Sequence, residues 1–347
     1  MLVQEKNELT ICSAYHTLER KYLLDLQWDL IHTLNTNKNW VWVVADNTPP
    51  GYLAVDKLDS KKFKVIDGVS PRTIIPRNAP KNYQGAYHYG DAVNKAIAHA
   101  STRFLLVMDN DFFLVRHEWI NDVLEHMQNN DLAFFGVPWN ARRTGPYRYF
   151  PAIHCFFVDL KKVPLETLDF NPFFDDDPLR TPFFRKLEER FSFTFPYRAR
   201  KMLKIFSVAD RKTHIGSYRD VAYDVFRRYG NRKGIYYESA STVYNPYTEI
   251  SVPCMRSNLN RLVESFLPDS LCYIPKQHDY CSSVGFRELG YVDVRGTNPR
   301  REEFVWKGKP FGFHLRGGKT VDNPGNVASL EDTLHFVSSA LDNLTRA

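Results

Sequence analysis

The feature that most constrains the fold is a short, uninterrupted apolar run that ends in two acidic residues. Phe104–Met108 (FLLVM) is followed at once by Asp109, Asn110 and Asp111. Five consecutive apolar residues that stop at a polar turn are typical of a strand covered on both faces in a parallel sheet. Ligands of such sheets bind at the carboxyl ends of the strands. The sequence therefore predicts an α/β sheet that carries acids at its ligand-binding edge.

Strand-like and helix-like patterns alternate around this run through the first 140 residues. The predicted helices are 18–34, 91–100 and 117–128, and the predicted strands are 9–14, 40–45, 63–66, 104–108 and 132–137. Such alternation indicates a doubly wound, mixed but mostly parallel sheet flanked by helices. Further along the chain, the patterns predict a loop over 170–184, a helix over 220–229 and a strand over 312–315.

The composition bounds the class of protein. The chain has 347 residues, 43% hydrophobic and 25% charged, enough for a sizeable core. The net charge of +6 comes from dispersed basic residues, which does not indicate nucleic-acid binding. Five irregularly spaced cysteines argue against a disulfide framework. Since the N-terminus is charged early and no apolar stretch reaches about 18 residues, we expect a cytoplasmic protein.

One basic and apolar stretch, 198–206, leaves a peripheral membrane contact open. Four cations alternate there with apolar side chains, a composition that suits an anionic membrane surface. An ordinary amphipathic helix that packs on the domain is the favoured interpretation of the same pattern.

The acids after the apolar run carry the strongest chemical signal. Asp109 and Asp111 stand one residue apart, so their charges repel each other. A divalent cation such as Mg²⁺ or Mn²⁺ removes that cost, because these ions prefer oxygen ligands. The cation can also stabilise a diphosphate as a leaving group. The alternative is a solvated turn rich in Asp and Asn, and the position after a buried strand favours the metal site.

These segments resemble the core of GT-A-fold, family-2-like glycosyltransferases, which use nucleotide-sugar donors. The resemblance lies first in 89–98, a small-residue helix with an internal asparagine, followed by the D-x-D strand 104–111. Residues 11–16 resemble the opening strand and base-binding loop of that family, and 40–47 resemble its second strand. The resemblance covers residues 8–140 and returns near 310–320.

The resemblance implies a donor site for a nucleotide-diphosphate sugar. Asp111 would be a ligand of Mn²⁺ or Mg²⁺, and Asp109 would contact the ribose or the metal through water. Asp46 would accept hydrogen bonds from the base, with an Asx-turn as the alternative role. The expected donor contacts are the main chain of Ala14 and Tyr15 and the side chains of Asp46, Asn94, Asp109 and Asn110.

A late segment, 311–318, is expected to complete the metal site. His314 ends a predicted strand and is followed by Arg316 and two glycines. Neutral imidazole can complete a site of carboxylate and phosphate oxygens, and many GT-A enzymes have a metal-binding histidine late in the chain. Arg316 or Lys319 would neutralise the departing diphosphate. A structural histidine at a strand end is the alternative.

The catalytic base is the least determined residue. An inverting transfer needs a carboxylate that accepts the proton of the acceptor hydroxyl. The segment 213–220 resembles an acceptor-side motif, which makes Asp220 the first candidate and a helix cap its alternative role. Asp177, in a run of three acids, is the second candidate. His214 stands where the family often has an aspartate, and a retaining enzyme would need no such base.

The sequence therefore predicts a single-domain hexosyltransferase that acts on a glycan, a lipid-linked glycan or a small-molecule hydroxyl. Residues 1–140 would form the donor half, 141–320 the acceptor half and 321–347 a helical tail. One alternative is a sugar-nucleotide nucleotidyltransferase, which usually has a glycine-rich loop after the first strand that this chain lacks. A non-catalytic carbohydrate- or partner-binding module on the same scaffold is the other.

Overall fold

The structure is a computed structural model, and it describes most of the predicted donor half together with parts of the rest. The described residues are 8–15, 21–48, 58–69, 75, 84–138, 150–175, 217–219, 221–230, 232–243, 281–294 and 301–315. No helix within these ranges is both long enough and apolar enough to cross a membrane.

The described elements follow the predicted alternation through residue 138. The helices are α1 (Lys21–Leu34), α2 (Gln84–Ile97), α3 (Trp119–Asn129) and α4 (Tyr223–Tyr229). The strands are β1 (Leu9–Tyr15), β2 (Trp40–Asp46), β3 (Lys64–Asp67), β4 (Phe104–Met108), β5 (Phe112–Leu114), β6 (Leu132–Pro138), β7 (Pro151–Asp159), β8 (Phe173–Asp175), β9 (Ser217–Arg219), β10 (Tyr236–Ser239), β11 (Ser241–Val243), β12 (Cys281–Ser282), β13 (Glu302–Trp306) and β14 (Lys309–His314).

A seven-stranded sheet in the order β10-β6-β7-β4-β1-β2-β3 forms the centre of the molecule. Strand β1 pairs in parallel with β2 and β4, β2 with β3, and β10 with β6. Strand β7 is inserted antiparallel between β4 and β6. The predicted mixed but mostly parallel α/β sheet is therefore confirmed.

The sheet is covered by helices on both faces. Along β4, Phe104, Leu106 and Met108 pack in one core cluster with side chains of α1 and α3, while Leu105 and Val107 pack in another with α2 and α4. All five side chains are nearly inaccessible to solvent. Burial of each such side chain stabilises the fold by about 1.5–3 kcal/mol. This two-sided burial explains the uninterrupted apolar run and confirms the doubly wound arrangement.

A second, five-stranded sheet in the order β12-β11-β13-β14-β5 is attached at the end of β4. Its strand β5 begins immediately after Asp111 and pairs antiparallel with β14. The rings of Phe113 and Phe313 stack across this pair with centroids 5.2 Å apart. The second sheet therefore brings residues near 314 to the end of β4.

Some elements differ from the sequence prediction. Helix α2 begins seven residues before the predicted 91–100, and β8 lies within the predicted loop 170–184. Strand β7 was not predicted, because it begins with a proline and His154 interrupts its apolar run. The predicted helical tail, 321–347, lies outside the described residues.

Candidate functional site

The carboxyl end of β4 places Asp109 beside a histidine of the neighbouring strand. The register pairs Met108 with Cys155, and the Asp109 N–H donates to the His154 carbonyl at 3.1 Å, so the ladder continues one residue further. Directly opposed residues of an antiparallel pair project to the same face. The Nδ1 atom of His154 accordingly lies 2.7 Å from the Oδ2 atom of Asp109.

Other contacts hold Asp109 from its remaining sides. The Tyr89 hydroxyl donates to Oδ1 of Asp109. The buried side-chain amide of Gln27 donates to the carbonyls of Asp109, at 3.0 Å, and of Phe112. Gln27 belongs to α1 on one face of the sheet, and Tyr89 belongs to α2 on the other face. Because both helices hold the turn after β4, Oδ2 of Asp109 keeps its direction toward His154.

The second acid is held by the five-stranded sheet. Strands β5 and β14 pair Phe112 with His314, and the Leu315 N–H donates to the Asp111 carbonyl at 3.0 Å. This register puts Nε2 of His314 3.0 Å from Oδ1 of Asp111. On its other side, Nδ1 of His314 lies 3.2 Å from Oε2 of Glu302, its partner across β13 and β14.

The two acid–imidazole pairs form one cluster. The ring centroids of His154 and His314 are 4.2 Å apart, and ligand atoms of Asp109, His154 and His314 all lie within 4.8 Å of one another. The side chains of Asp109 and Asp111 are 17% and 15% exposed, while the two imidazoles are 6% and 5% exposed. The carboxylates therefore form the rim of the cluster and the imidazoles its floor.

The surroundings of Asp109 favour its ionised form. Burial is the largest single influence and by itself would raise the pKa of this carboxyl. The hydrogen bond and charge of His154, together with the charge of His314, outweigh burial and the opposing charge of Asp111, so the pKa of Asp109 falls below its ordinary value. Asp109 is therefore a carboxylate at neutral pH, which is the form that binds a cation.

The side chains present fit a divalent transition-metal ion. Two carboxylates and two imidazoles offer the oxygen and nitrogen donors that such ions accept. Ligand atoms about 2.1 Å from one ion lie roughly 3–4.3 Å from one another in octahedral geometry, so the atoms of Asp109, His154 and His314, which lie within 4.8 Å of one another, require only small shifts. Glu302 also contacts the second nitrogen of His314, as outer carboxylates do in many metal sites.

The ends of β1 and β2 lie next to this edge. Tyr15 pairs with Asp46 in register, and the Asn47 N–H donates to the Tyr15 carbonyl at 2.6 Å. Oδ1 of Asp46 accepts the N–H of Thr48 at 3.0 Å and also its hydroxyl hydrogen. The Asx-turn that was the alternative for Asp46 is thus present, and contact with a nucleoside base stays a prediction for Ala14, Tyr15 and Asp46.

Asn94 joins α2 to the segment that follows β7. Its amide donates to Asp169 at 2.9 Å and its oxygen accepts the N–H of Phe170 at 2.9 Å. One turn earlier, a Cβ added to Gly90 would lie 2.5 Å from the Phe170 carbonyl oxygen. Helix α2 is therefore tied to the segment after β7 through Asn94. A donor contact of Asn94, like that of the buried Asn110, stays a prediction.

Four predicted residues lie outside the described residues. They are the candidate bases Asp177 and Asp220 and the candidate diphosphate cations Arg316 and Lys319. Their roles stay predictions from the sequence.

Three residues of the cluster were not predicted as site residues from the sequence: Tyr89, His154 and Glu302. His154 is a single histidine within the otherwise apolar run 151–158, a signal that could have been noticed. Glu302 carries no local signal, because only the pairing of β13 with β14 brings it to His314. Tyr89 stands within the helix that was compared with the family but was given no role there.

Residues 78–191 match glycosyl transferase family 2. The matched third of the chain contains α2, both acids and His154, whereas Glu302 and His314 lie beyond it. The match bears out the predicted resemblance to family-2 glycosyltransferases over this part of the chain. No curated protein matches the chain.

Several solved glycosyltransferases are similar over part of the chain. The mannosyltransferase PcManGT from Pyrobaculum calidifontis, solved with GDP-Man and Mn²⁺, is 11% identical over 48% of each chain, with a TM-score of 0.32. TarS of S. aureus is 13% identical over 47% of this chain and 50% of its own, with a TM-score of 0.31. The galactosyltransferase LgtC is 15% identical over 57% and 70%, with a TM-score of 0.33.

The present chain thus spans about half the length of the first two of these proteins. At these TM-scores the structural similarity adds nothing to the assignment, which rests on the family match over 78–191.

Proposed function

We propose that this chain is a metal-dependent glycosyltransferase that moves a hexosyl group from a nucleotide-diphosphate sugar to a hydroxyl acceptor, such as a glycan, a lipid-linked glycan or a small molecule. The observation that carries the proposal is the convergence of Asp109 and Asp111 with two imidazoles at the carboxyl end of β4. Carboxylates and imidazoles at this edge of a doubly wound sheet suit a cation that is shared with a ligand.

The side chains of the cluster would divide the work of holding Mn²⁺ or Mg²⁺. Asp109, Asp111 and His314 supply ligand atoms, and Glu302 holds the His314 ring so that Nε2 faces Asp111. Tyr89 holds the other oxygen of Asp109 by a hydrogen bond. When bound, the cation would stabilise the negative charge that develops on the departing diphosphate.

The sheet also supports a position for the nucleoside. Strand β1 lies between β4 and β2, and neighbouring strands are about 4.8 Å apart, so Asp46 stands roughly 10 Å from the acid cluster along the edge. A nucleoside diphosphate can span that distance. We place its base over the ends of β1 and β2, beside Tyr15 and Asp46, and its diphosphate at Asp109 and Asp111.

The acceptor side of the proposal rests on the sequence. Asp220, with Asp177 as the second candidate, would accept the proton of the acceptor hydroxyl in an inverting transfer. Arg316 and Lys319, which closely follow His314, would contact the diphosphate.

A thermal-shift panel of nucleoside diphosphates, each with and without Mn²⁺, tests the donor and metal parts together. A ligand that binds the native state raises the melting temperature. We expect at least one nucleoside diphosphate to raise it only when Mn²⁺ is present. The same base identifies the sugar donors to test for Mn²⁺-dependent transfer and hydrolysis.

Asp111→Asn should lose this joint response, because it removes a carboxylate from the cluster. Asp59→Asn is the matched control, since Asp59 is an exposed residue in a turn before β3 and should respond as the wild type does. The proposal is wrong if no diphosphate requires Mn²⁺ for its shift, or if Asp111→Asn responds like the control.

A further inference from the structure

His154 is a polar residue buried within an otherwise apolar run of strand β7. The other residues of 151–158 are apolar, and the side chains on both faces of β7 lie within the core clusters. An imidazole buried there costs free energy unless its polar atoms have partners. Its position in the core is therefore best explained by what its nitrogen atoms contact.

The register of β7 directs the His154 ring to the acid cluster. Pairing with β4 puts its side chain on the same face as Asp109, with Nδ1 2.7 Å from Oδ2. The ring also lies 4.2 Å, centroid to centroid, from His314, which comes from a different sheet. Two strands that are distant in the chain thus each place one imidazole beside the same pair of carboxylates.

The separations of the ligand atoms suit one ion bound by both imidazoles. One ligand atom each from Asp109, His154 and His314 lies within 4.8 Å of the others. A histidine that served only to orient Asp109 would need the hydrogen bond to Oδ2 and no proximity to His314. The geometry instead places both rings against the same small volume.

We propose that His154 is itself a ligand of the cation in the proposed glycosyltransferase site, and that the site therefore selects Mn²⁺ or Co²⁺ over Mg²⁺. The inference rests on the proposed function and specifies its metal. Mg²⁺ prefers oxygen ligands and keeps several waters, whereas imidazole nitrogen favours transition-metal ions. Replacing an oxygen ligand by a second imidazole therefore lowers the affinity of the site for Mg²⁺ more than its affinity for Mn²⁺ or Co²⁺.

Pulsed EPR of Mn²⁺ bound to the purified full chain tests the ligand directly, without reference to activity. The wild-type spectrum should contain couplings to two imidazole nitrogens. His154→Gln and His314→Gln should each retain one. Because the wild-type spectrum alone decides the number of imidazoles, the test does not depend on how well either variant folds.

Calorimetric titration with Mn²⁺ and with Mg²⁺ tests the selectivity. The ratio of Mn²⁺ to Mg²⁺ affinity should fall in His154→Gln by at least the roughly tenfold effect that even an outer partner of a metal ligand exerts. His99→Gln is the control, because His99 is exposed after the end of α2, and its ratio should equal that of the wild type.

The outcomes separate this inference from the proposed function. Mn²⁺ bound with one imidazole coupling in the wild type, or an equal loss of Mn²⁺ and Mg²⁺ affinity in His154→Gln, would overturn the role of His154 and leave metal-dependent transfer standing. A wild-type chain that binds no Mn²⁺ would overturn both.

Discussion

The two sheets that meet at the site are built in different ways. The seven-stranded sheet is formed largely by parallel strands whose apolar runs are legible in the sequence, and it presents Asp109 and Asp111 at the end of its central strand. The five-stranded sheet is formed by short strands, most of them antiparallel, that are distant in the chain. It supplies His314 and Glu302.

The two sheets position their site residues by different physical means. The large sheet positions its carboxylates through local sequence, because a buried strand must end where the polar residues begin. The small sheet positions its imidazole through register: β5 starts directly after Asp111 and pairs with β14, so a slip of one residue would turn His314 to the opposite face. The first contribution depends on the core and the second on a strand pairing.

The largest expected effect comes from removing the contribution of the small sheet. His314→Gln should lower the rate of glycosyl transfer by about 100–1,000-fold, the usual cost of losing one group that stabilises developing charge. If the two sheets contribute equally to the rate, Asp111→Asn should lower the rate of glycosyl transfer by a similar factor. Initial rates at saturating donor and Mn²⁺ measure both, and a His314→Gln enzyme within a few-fold of the wild type would break the comparison.

A smaller effect is expected at Glu302, which contacts the proposed metal ligand His314 and is not itself proposed as a ligand. Glu302→Gln should weaken Mn²⁺ binding by roughly 10–100-fold, because outer partners of metal ligands have effects of that size. Calorimetric titration with Mn²⁺ measures the change. Retained affinity would show that His314 needs no carboxylate on Nδ1.

The adjacent Glu303 is the matched control for that prediction. Its carboxylate lies on the opposite face of β13 and accepts the N–H groups of Phe286, at 2.9 Å, and Val294, at 3.0 Å. Glu303→Gln leaves one buried N–H without its acceptor, so it should lower the free energy of unfolding by about 1–3 kcal/mol. Its Mn²⁺ affinity should be unchanged, and weakened binding would show that the whole small sheet, rather than Glu302, governs the site.

The smallest effect is expected from thiol reagents on the large sheet. Burial raises the pKa of Cys12 in β1 and of Cys155 in β7, and the charge of Asp109 raises that of Cys155 further. Since both pKa values lie above ordinary thiol values, almost no thiolate forms at pH 8, and neither cysteine should react with iodoacetamide until denaturant is added. Peptide mass spectrometry locates the label; labelling at either cysteine in the native protein would show that the large sheet opens locally.

The local pattern of the chain determined the fold of most of its first 140 residues. The strands at 9–15, 40–46, 64–67, 104–108 and 132–138 were all expected within a few residues, and so were α1 and α3, whereas α2 begins seven residues earlier than expected. Hydrophobic periodicity is sufficient there, because each element buries its own apolar face against a sheet built from neighbouring segments. Asp109 and Asp111 became candidates for the same reason, since they follow the strand that the pattern shows most clearly.

Only the tertiary structure showed that His154 and Glu302 join the acids and His314. His154 reaches Asp109 because β7 is inserted antiparallel beside β4, and Glu302 reaches His314 because β13 pairs with β14. Both contacts depend on strand order and register between distant segments, which a local pattern of residues does not encode. The sequence by itself therefore indicated the two acids and, through the family resemblance, His314, whereas the long-range pairing of strands decided that His154 and Glu302 join them.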